Sequence, residues 1–235
     1  MDLKECNNIN HRHPWELSRI IILKKTINKF CPESKTWLDI GSGDCYVYSN
    51  LKELGYFFLI DPAFTSINAN DNFSMHRGIE EINLNKINTV LMLDSLEHIE
   101  NDLTFLKEFS SKCSANTTFI ITVPALGFLF CEHDIYLNHY RRYNFESLKN
   151  IIIESNLRIE KIHYFYFTLF ILRFFEVYIM RKQSFKITQW MASENSILTN
   201  IIVFILYIDF KICELLSYFK IQIPGLSLIV VAKKL

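Results

Sequence analysis

The sequence predicts an α/β fold, a seven-stranded and mostly parallel sheet with helices on both faces. Three observations predict it. Short apolar runs recur along the chain without polar alternation, as in strands buried on both faces. Stretches with helical spacing of apolar residues lie between them. The chain has 235 residues, half of them hydrophobic, which suffices for one full α/β core.

The elements follow in order. Residues 10–30 read as a helix, with Pro14 near the first turn and apolar positions at Trp15, Leu17, Ile20 and Ile27. Residues 37–40 form a first strand. Residues 47–54 are helical and close on Gly55, a C-cap signal. Further strands are expected at 56–60, 72–76, 89–93, 117–123, 158–167 and 227–232. Amphipathic helices are expected at 102–112 and 145–155, the latter with Leu148, Ile151 and Ile152 on one side. Residues 168–223 break the alternation. They are mostly helical and rich in aromatics, and read as a hydrophobic cap inserted before the last strand, not as a separate domain. The core is then 35–167 with 224–235.

Composition excludes several classes. Net charge is zero, which argues against a nucleic-acid binder with its usual basic surplus. The six cysteines include no C-x-x-C pair, so a zinc ribbon or redox dithiol is not expected. The polar start through Pro14 lacks a secretory apolar region, and free thiols suit a reducing cytoplasm. Residues 164–180 carry Arg173 and Glu176, and residues 197–208 stop at Asp209. Neither reaches the roughly 20 uncharged residues of a membrane span. Both read as core-packed or interfacial helices.

Ligands of open α/β sheets sit outside the carboxyl ends of the strands. Four candidate positions fall there: Gly41-Ser42-Gly43, Asp61, Asp94 to His98, and the chain from Pro124 onward. Glycines let backbone approach a ligand, and the helix that follows offers N–H groups to an anion. An acid ending the second strand can accept hydrogen bonds from ribose hydroxyls. Phe64 is expected near a purine.

Asp39-Ile40-Gly41-Ser42-Gly43, Leu59-Ile60-Asp61 and Leu93-Asp94-Ser95-Leu96-Glu97-His98-Ile99 together resemble the class I S-adenosylmethionine-dependent methyltransferases, over roughly residues 35–234. The acid two residues before the first glycine matches that family. Position 46 is Tyr where the dinucleotide fingerprint has Gly or Ala, so NAD is the weaker reading. The resemblance implies a Rossmann-like sheet whose last strand is antiparallel, and S-adenosylmethionine as cofactor. It implies that Gly41 and Gly43 flank the methionine moiety, that Asp39 orients the loop or meets the amino group, and that Asp61 holds the ribose. Ser42, Pro62, Asp94 and Ser95 complete the expected cofactor set. Residues 1–34 are implied to be a helical lid, with His13 and Trp15 as candidate pocket residues and packing as the other role for Trp15. Cys45 stands where many relatives have Gly. The family's adenine-contacting position falls at Gly78-Ile79-Glu80, which matches poorly.

Residues 131–143, CEHDIYLNHYRRY, follow the fifth strand and hold the densest chemistry. His133 or His139 is a candidate general base, with His98 as a further catalytic candidate. Arg141 and Arg142, with Tyr140, are candidate acceptor contacts that would clamp a phosphate or carboxylate. The competing reading is a structured loop in which Asp134 pairs with an arginine. Asp94, Glu97 and His98 also resemble the E-x-x-E-H element of small-RNA 3′-end methyltransferases. That likeness gives an alternative divalent-metal set of Asp94, Glu97, His98 and His133, with His139 as a substitute ligand. The same Leu-Glu-His-Ile run orders a loop in metal-free relatives, and the main expectation is no metal.

The expected function is methyl transfer to oxygen or nitrogen of a small acceptor, anionic or linked to lipid or glycan. The cap suggests a hydrophobic acceptor, peripheral membrane contact, or a homo-oligomer interface. The alternatives are a non-catalytic scaffold of the same fold and a metal-dependent RNA-end enzyme.

Overall fold

A computed structural model of the chain describes residues 12–176, 194 and 196–235. Seven strands form one sheet: β1 Thr36–Ile40, β2 Tyr56–Ile60, β3 Phe73–His76, β4 Thr89–Leu93, β5 Thr118–Pro124, β6 Leu157–Phe165 and β7 Ser227–Lys234. Their order is β3-β2-β1-β4-β5-β7-β6. Neighbours from β3 to β5 pair in parallel, and β7 is antiparallel to both β5 and β6. The expected architecture, with its antiparallel last strand, is the one observed.

Helices are α1 Pro14–Phe30, α2 Tyr46–Leu51, α3 Asp102–Ser111, α4 Glu132–Tyr136, α5 Phe145–Glu154, α6 Phe167–Phe174 and α7 Ile197–Tyr218. Several boundaries differ from expectation, among them β6, which ends at Phe165 and not at 167. α1 begins at Pro14 because His13 caps it, its ring nitrogen accepting from Trp15 N while Glu16 accepts from His13 N. Residue 10, the expected start, lies outside the described residues. α2 ends at Leu51, and a tighter 3₁₀ turn carries the chain to Leu54 before Gly55. α4 replaces part of an expected loop.

The pleat sorts the strand residues onto two cores. Leu38, Val90, Met92 and Phe119 meet α3 and α5 through Leu106, Phe109, Leu148 and Ile152. Trp37, Phe57, Leu91 and Ile120 meet α1 and α7 through Ile22, Ile27, Leu206 and Phe210. Trp37 and Phe57 stack with centroids 5.6 Å apart. A central strand such as β4 is therefore buried along its whole length, the pattern read from the sequence.

Sheet order reverses between β1 and β4: β1 pairs with β2 on one side and with β4 on the other. The crevice at this switch point lies at the carboxyl ends of those strands. α1 lies against α7 and α2. Among the described residues no helix is long and apolar enough to cross a membrane.

Leu91 is fully buried in the middle of β4, so Leu91→Ala should destabilise the chain by about 2–5 kcal/mol. Ile135→Ala, at a side chain 64 % exposed, should change stability by less than about 0.5 kcal/mol. Urea denaturation of both variants checks the contrast.

Candidate functional site

The turn after β1 is set by backbone bonds across the switch point. Gly41 N and Ser42 N both donate to the Ile60 carbonyl of β2, at 2.8 and 2.9 Å. Gly41 has φ +79°, and a Cβ there would meet Ser95 Oγ at 2.5 Å. Only glycine serves both demands. The Ser95 hydroxyl donates to the Ile40 carbonyl at 2.6 Å, so the turn after β4 braces the turn after β1. Ser42 is buried, its hydroxyl donating to the Asp39 carbonyl. Cys45 precedes α2 with φ +61°, in the left-handed region that favours glycine.

Asp61 sits one residue beyond β2. Its Oδ2 accepts from Gly43 N and its Oδ1 from Ala63 N, each at 2.8 Å. The structure thus brings Asp61 to the Gly41–Gly43 loop. Pro62 follows on the exposed side. Phe64, expected beside a purine, is buried in the core that contains Trp37.

Asp39 is buried, and its Oδ2 has no hydrogen-bond partner. Burial pushes its carboxyl up to about 6. An unpartnered buried acceptor costs about 1–3 kcal/mol, and a cationic donor would relieve it.

Asp94 has a different partner. Arg19 of α1 donates to its Oδ2 and to Thr122 Oγ1, the latter at 3.0 Å. Thr122 Oγ1 donates to Asp94 Oδ1. Burial works against the charged form, but the Arg19 guanidinium outweighs it and holds the Asp94 carboxyl below its ordinary value. Just before the same helix, Arg12 bridges Glu16 and Asp44 and lies over the Tyr46 ring. A cleft between α1 and the strand ends is lined by Trp15, Glu16, Arg19, Ser42, Asp44 and Leu93. His13 is the cap of α1, at the same end. Sequence reasoning missed Arg12 and Arg19. Their signal is spacing, with Arg12, Glu16 and Arg19 falling four and three positions apart at the start of α1.

A second group forms on the other side of Asp94. Glu97 is fully buried, and neither carboxyl oxygen is hydrogen-bonded. Burial and the nearby Asp94 charge raise its pKa well above the ordinary value. His139 lies beside it, with Nε2 3.9 Å from Glu97 Oε1, and its ring meets that of His98 edge-on at 4.8 Å. His139 Nδ1 is 3.0 Å from Asp134 Oδ1, and Asp134 is wholly buried at the start of α4. Burial alone would raise the Asp134 carboxyl. The His139 hydrogen bond and the Arg142 guanidinium outweigh burial and hold it below the usual carboxylate range. An ionised Asp134 fixes the proton of His139 on Nδ1 and leaves Nε2 to accept one.

The expected metal set is not the one assembled. Ligand atoms of Glu97, His98 and His139 lie within 4.8 Å of one another, and neither Asp94 nor His133 belongs to this group. His133 lies half-buried on α4. Arg141 and Arg142, expected to clamp an anion, each already hold a carboxylate of the chain. Arg141 bonds Asp102 and the Glu100 carbonyl, while Arg142 bonds Asp134 and the Ala125 carbonyl. The Tyr140 side chain is exposed, and its N–H donates to the Glu97 carbonyl. The structured-loop reading of this stretch therefore holds together with its dense chemistry.

No protein-family model and no curated protein matches the chain. Solved structures do match. A SAM-dependent methyltransferase from Archaeoglobus fulgidus superposes with a TM-score of 0.51 at 18% identity, covering 92% of this chain and 94% of that one. Phosphoethanolamine N-methyltransferase 2 from Haemonchus contortus, bound to phosphomonomethylethanolamine and S-adenosylhomocysteine, gives 0.59 at 13% identity, covering 97% of this chain and 55% of that one. A [4+2]-cyclase gives 0.59 at 10% identity, covering 97% and 84%. The chain has the fold of the class I S-adenosylmethionine-dependent methyltransferases.

Proposed function

We propose that the protein is an S-adenosylmethionine-dependent methyltransferase acting on oxygen or nitrogen of a small acceptor, anionic or linked to lipid or glycan. One observation carries this reading. The buried, unpartnered Oδ2 of Asp39 stands at the switch point beside a glycine turn to which Asp61 is hydrogen-bonded. That donor set fits a ligand with an ammonium at one end and a ribose at the other. The cofactor's ammonium would meet Asp39, its ribose hydroxyls would meet Asp61, and Gly41 to Gly43 would lie along its backbone-facing side. When bound, the cofactor supplies a methyl group already activated as a sulfonium, so placement supplies most of the catalysis.

The residues of the chain supply the rest. His139 is the candidate base. Asp134 holds its Nδ1, and Nε2 is the nitrogen that would take the acceptor's proton. Burial and the Asp94 charge favour the neutral form of Glu97 beside that nitrogen. His98 flanks the same ring and bounds the acceptor side. Tyr140, exposed beside His139, is the candidate acceptor contact.

The cluster of Glu97, His98 and His139 supports a second reading, in which a divalent ion binds these three groups. A non-catalytic scaffold remains the alternative from another class, and the cyclase among the fold neighbours shows that fold alone does not fix chemistry.

The Asp39 reading has a pH signature. In the unliganded chain its carboxyl titrates near 6, above the ordinary value for Asp. The stabilising contribution of its neutral form is fully present below about pH 4 and is lost as pH rises through about 6. An ammonium ligand needs the ionised form. Cofactor affinity, measured by calorimetry, should therefore tighten by up to about tenfold per pH unit toward 6 and level off above it. Asp39→Asn should weaken binding and flatten that dependence. No binding at about millimolar cofactor would favour the scaffold.

His139→Gln should leave cofactor affinity unchanged and lower turnover by about 10²–10⁴. The assay is transfer of labelled methyl groups into fractionated lipid and polar cell extracts. A chelator separates the two readings of this cluster. Unchanged turnover keeps His139 as base, and a loss that Mn²⁺ restores makes it a metal ligand.

A further inference from the structure

Both carboxyl oxygens of Asp134 are engaged inside the protein. The residue is wholly buried near the start of α4. Its Oδ2 accepts from Cys131 N at 3.0 Å and from the Cys131 thiol at 3.4 Å. Its Oδ1 meets His139 Nδ1 at 3.0 Å and Arg142 Nε at 2.8 Å. The oxygen that faces His139 is therefore shared with a cation.

α4 cannot place Asp134 unaided, because it has five residues and is too short to form on propensity. Arg142 has the footing that α4 lacks. The next residue, Tyr143, is joined to the end of β5. Tyr143 N donates to the Pro124 carbonyl at 2.9 Å, and the Tyr143 carbonyl accepts from Leu126 N at 2.7 Å. Tyr143 is buried, and its hydroxyl donates to Asp102 at 2.7 Å. Arg142 Nη1 itself donates to the Ala125 carbonyl at 3.3 Å. A continuous set of bonds thus runs from β5 through Arg142 to Asp134 and on to His139.

Charge separates this arrangement from a simple loop staple. The Arg142 side chain is 8% exposed and that of Asp134 is fully buried. A buried carboxylate needs a counter-ion. Arg142 is that counter-ion, and the other groups facing His139, the Glu97 carboxyl at 3.9 Å and the His98 ring at 4.8 Å, do not take its place. With Arg142 present, the ring can stay neutral, donate Nδ1–H to Asp134 and keep its lone pair on Nε2. Without the guanidinium, Oδ1 loses the donor that aims it at His139, and the ring proton has no fixed nitrogen.

We propose that Arg142 is a positioning residue. From the end of β5 it aims Asp134, and Asp134 in turn fixes the His139 proton on Nδ1 and leaves Nε2 open. Uptake of the acceptor's proton at Nε2 rests on the methyltransferase reading. The tautomer of the ring does not.

The test is nuclear magnetic resonance of the full chain labelled with nitrogen-15 at histidine, in chelator at about pH 8, above the ordinary histidine range. The chain has seven histidines, and the spectrum of His139→Gln identifies the His139 signals. The expected wild-type ring is a single tautomer, protonated at Nδ1 and bare at Nε2. Arg142→Gln should lose that pattern, and Arg142→Lys, which keeps a cationic donor, should retain it. Transfer of labelled methyl groups into cell extract should fall at least about tenfold in Arg142→Gln, with S-adenosylmethionine affinity unchanged. A wild-type ring protonated at Nε2, or divided between both tautomers, overturns the proposal before any variant is made. An Arg142→Gln ring that keeps the wild-type pattern overturns it and makes Arg142 a staple only. If Arg142→Gln does not fold, Arg142→Lys decides, and loss of the pattern in that folded variant overturns the proposal. Failure of the wild type to bind the cofactor removes the methyltransferase reading and leaves the ring measurement intact, so the two failures are distinguishable.

Discussion

Parallel pairing of β2, β1 and β4 gathers three acids at one end of the sheet. Asp39 lies opposite Leu59 and Leu91 within the register, Asp61 follows Ile60, and Asp94 follows Leu93. Three like charges this close would repel one another in a medium poorer in water than the surface. The fold treats each differently. Asp61 is held by two backbone N–H groups, Asp94 by a buried guanidinium, and Asp39 by desolvation that keeps its proton on until near neutrality. The position of α1 follows from this, because Arg19 must reach the end of β4. So does the character of the crevice, which is left with one carboxyl lacking a partner.

Much of this was legible in the sequence because the sheet is buried on both faces. A run such as Thr89–Leu93 has no polar side to misread. The glycine turn and Asp61 were equally clear, since a left-handed turn at Gly41 leaves a local chemical mark. What the sequence hid are contacts made across long separations. Arg19 and Asp94 are 75 positions apart, and nothing in the spacing of either names the other. The choice of His139 over His133 was hidden for a related reason. Both lie in one polar stretch, and it is the turn of α4 around Asp134 that sends His139 to Glu97. α4 itself is five residues long, too short to form on propensity, and is held by the cap contacts of Asp134 with Cys131.

The cap was read from sequence as core-packed or interfacial helices, and α7 is core-packed on one side and exposed on the other. A helix that is apolar on every side normally lies inside a protein or a membrane. Here the inner side completes the core above β6 and β7, and the outer side is left to the surroundings. Buried Asp209 and the Glu214 cluster mark where the two sides divide. Asp209 was the evidence against a membrane span over residues 197–208 in the sequence. In the structure both acids serve as fittings between neighbouring elements.

Tyr166 links these regions. It ends β6 in a left-handed conformation, and its hydroxyl meets Ser18 Oγ at 2.6 Å and the Trp15 carbonyl at 2.9 Å, both on α1. Its backbone carbonyl accepts from Phe170 N at the start of α6. Tyr166 thus touches both neighbours, α1 through its hydroxyl and α6 through its backbone carbonyl. Any displacement of α1 from the strand ends would break those bonds, so the seat of α1 and the start of α6 are physically coupled.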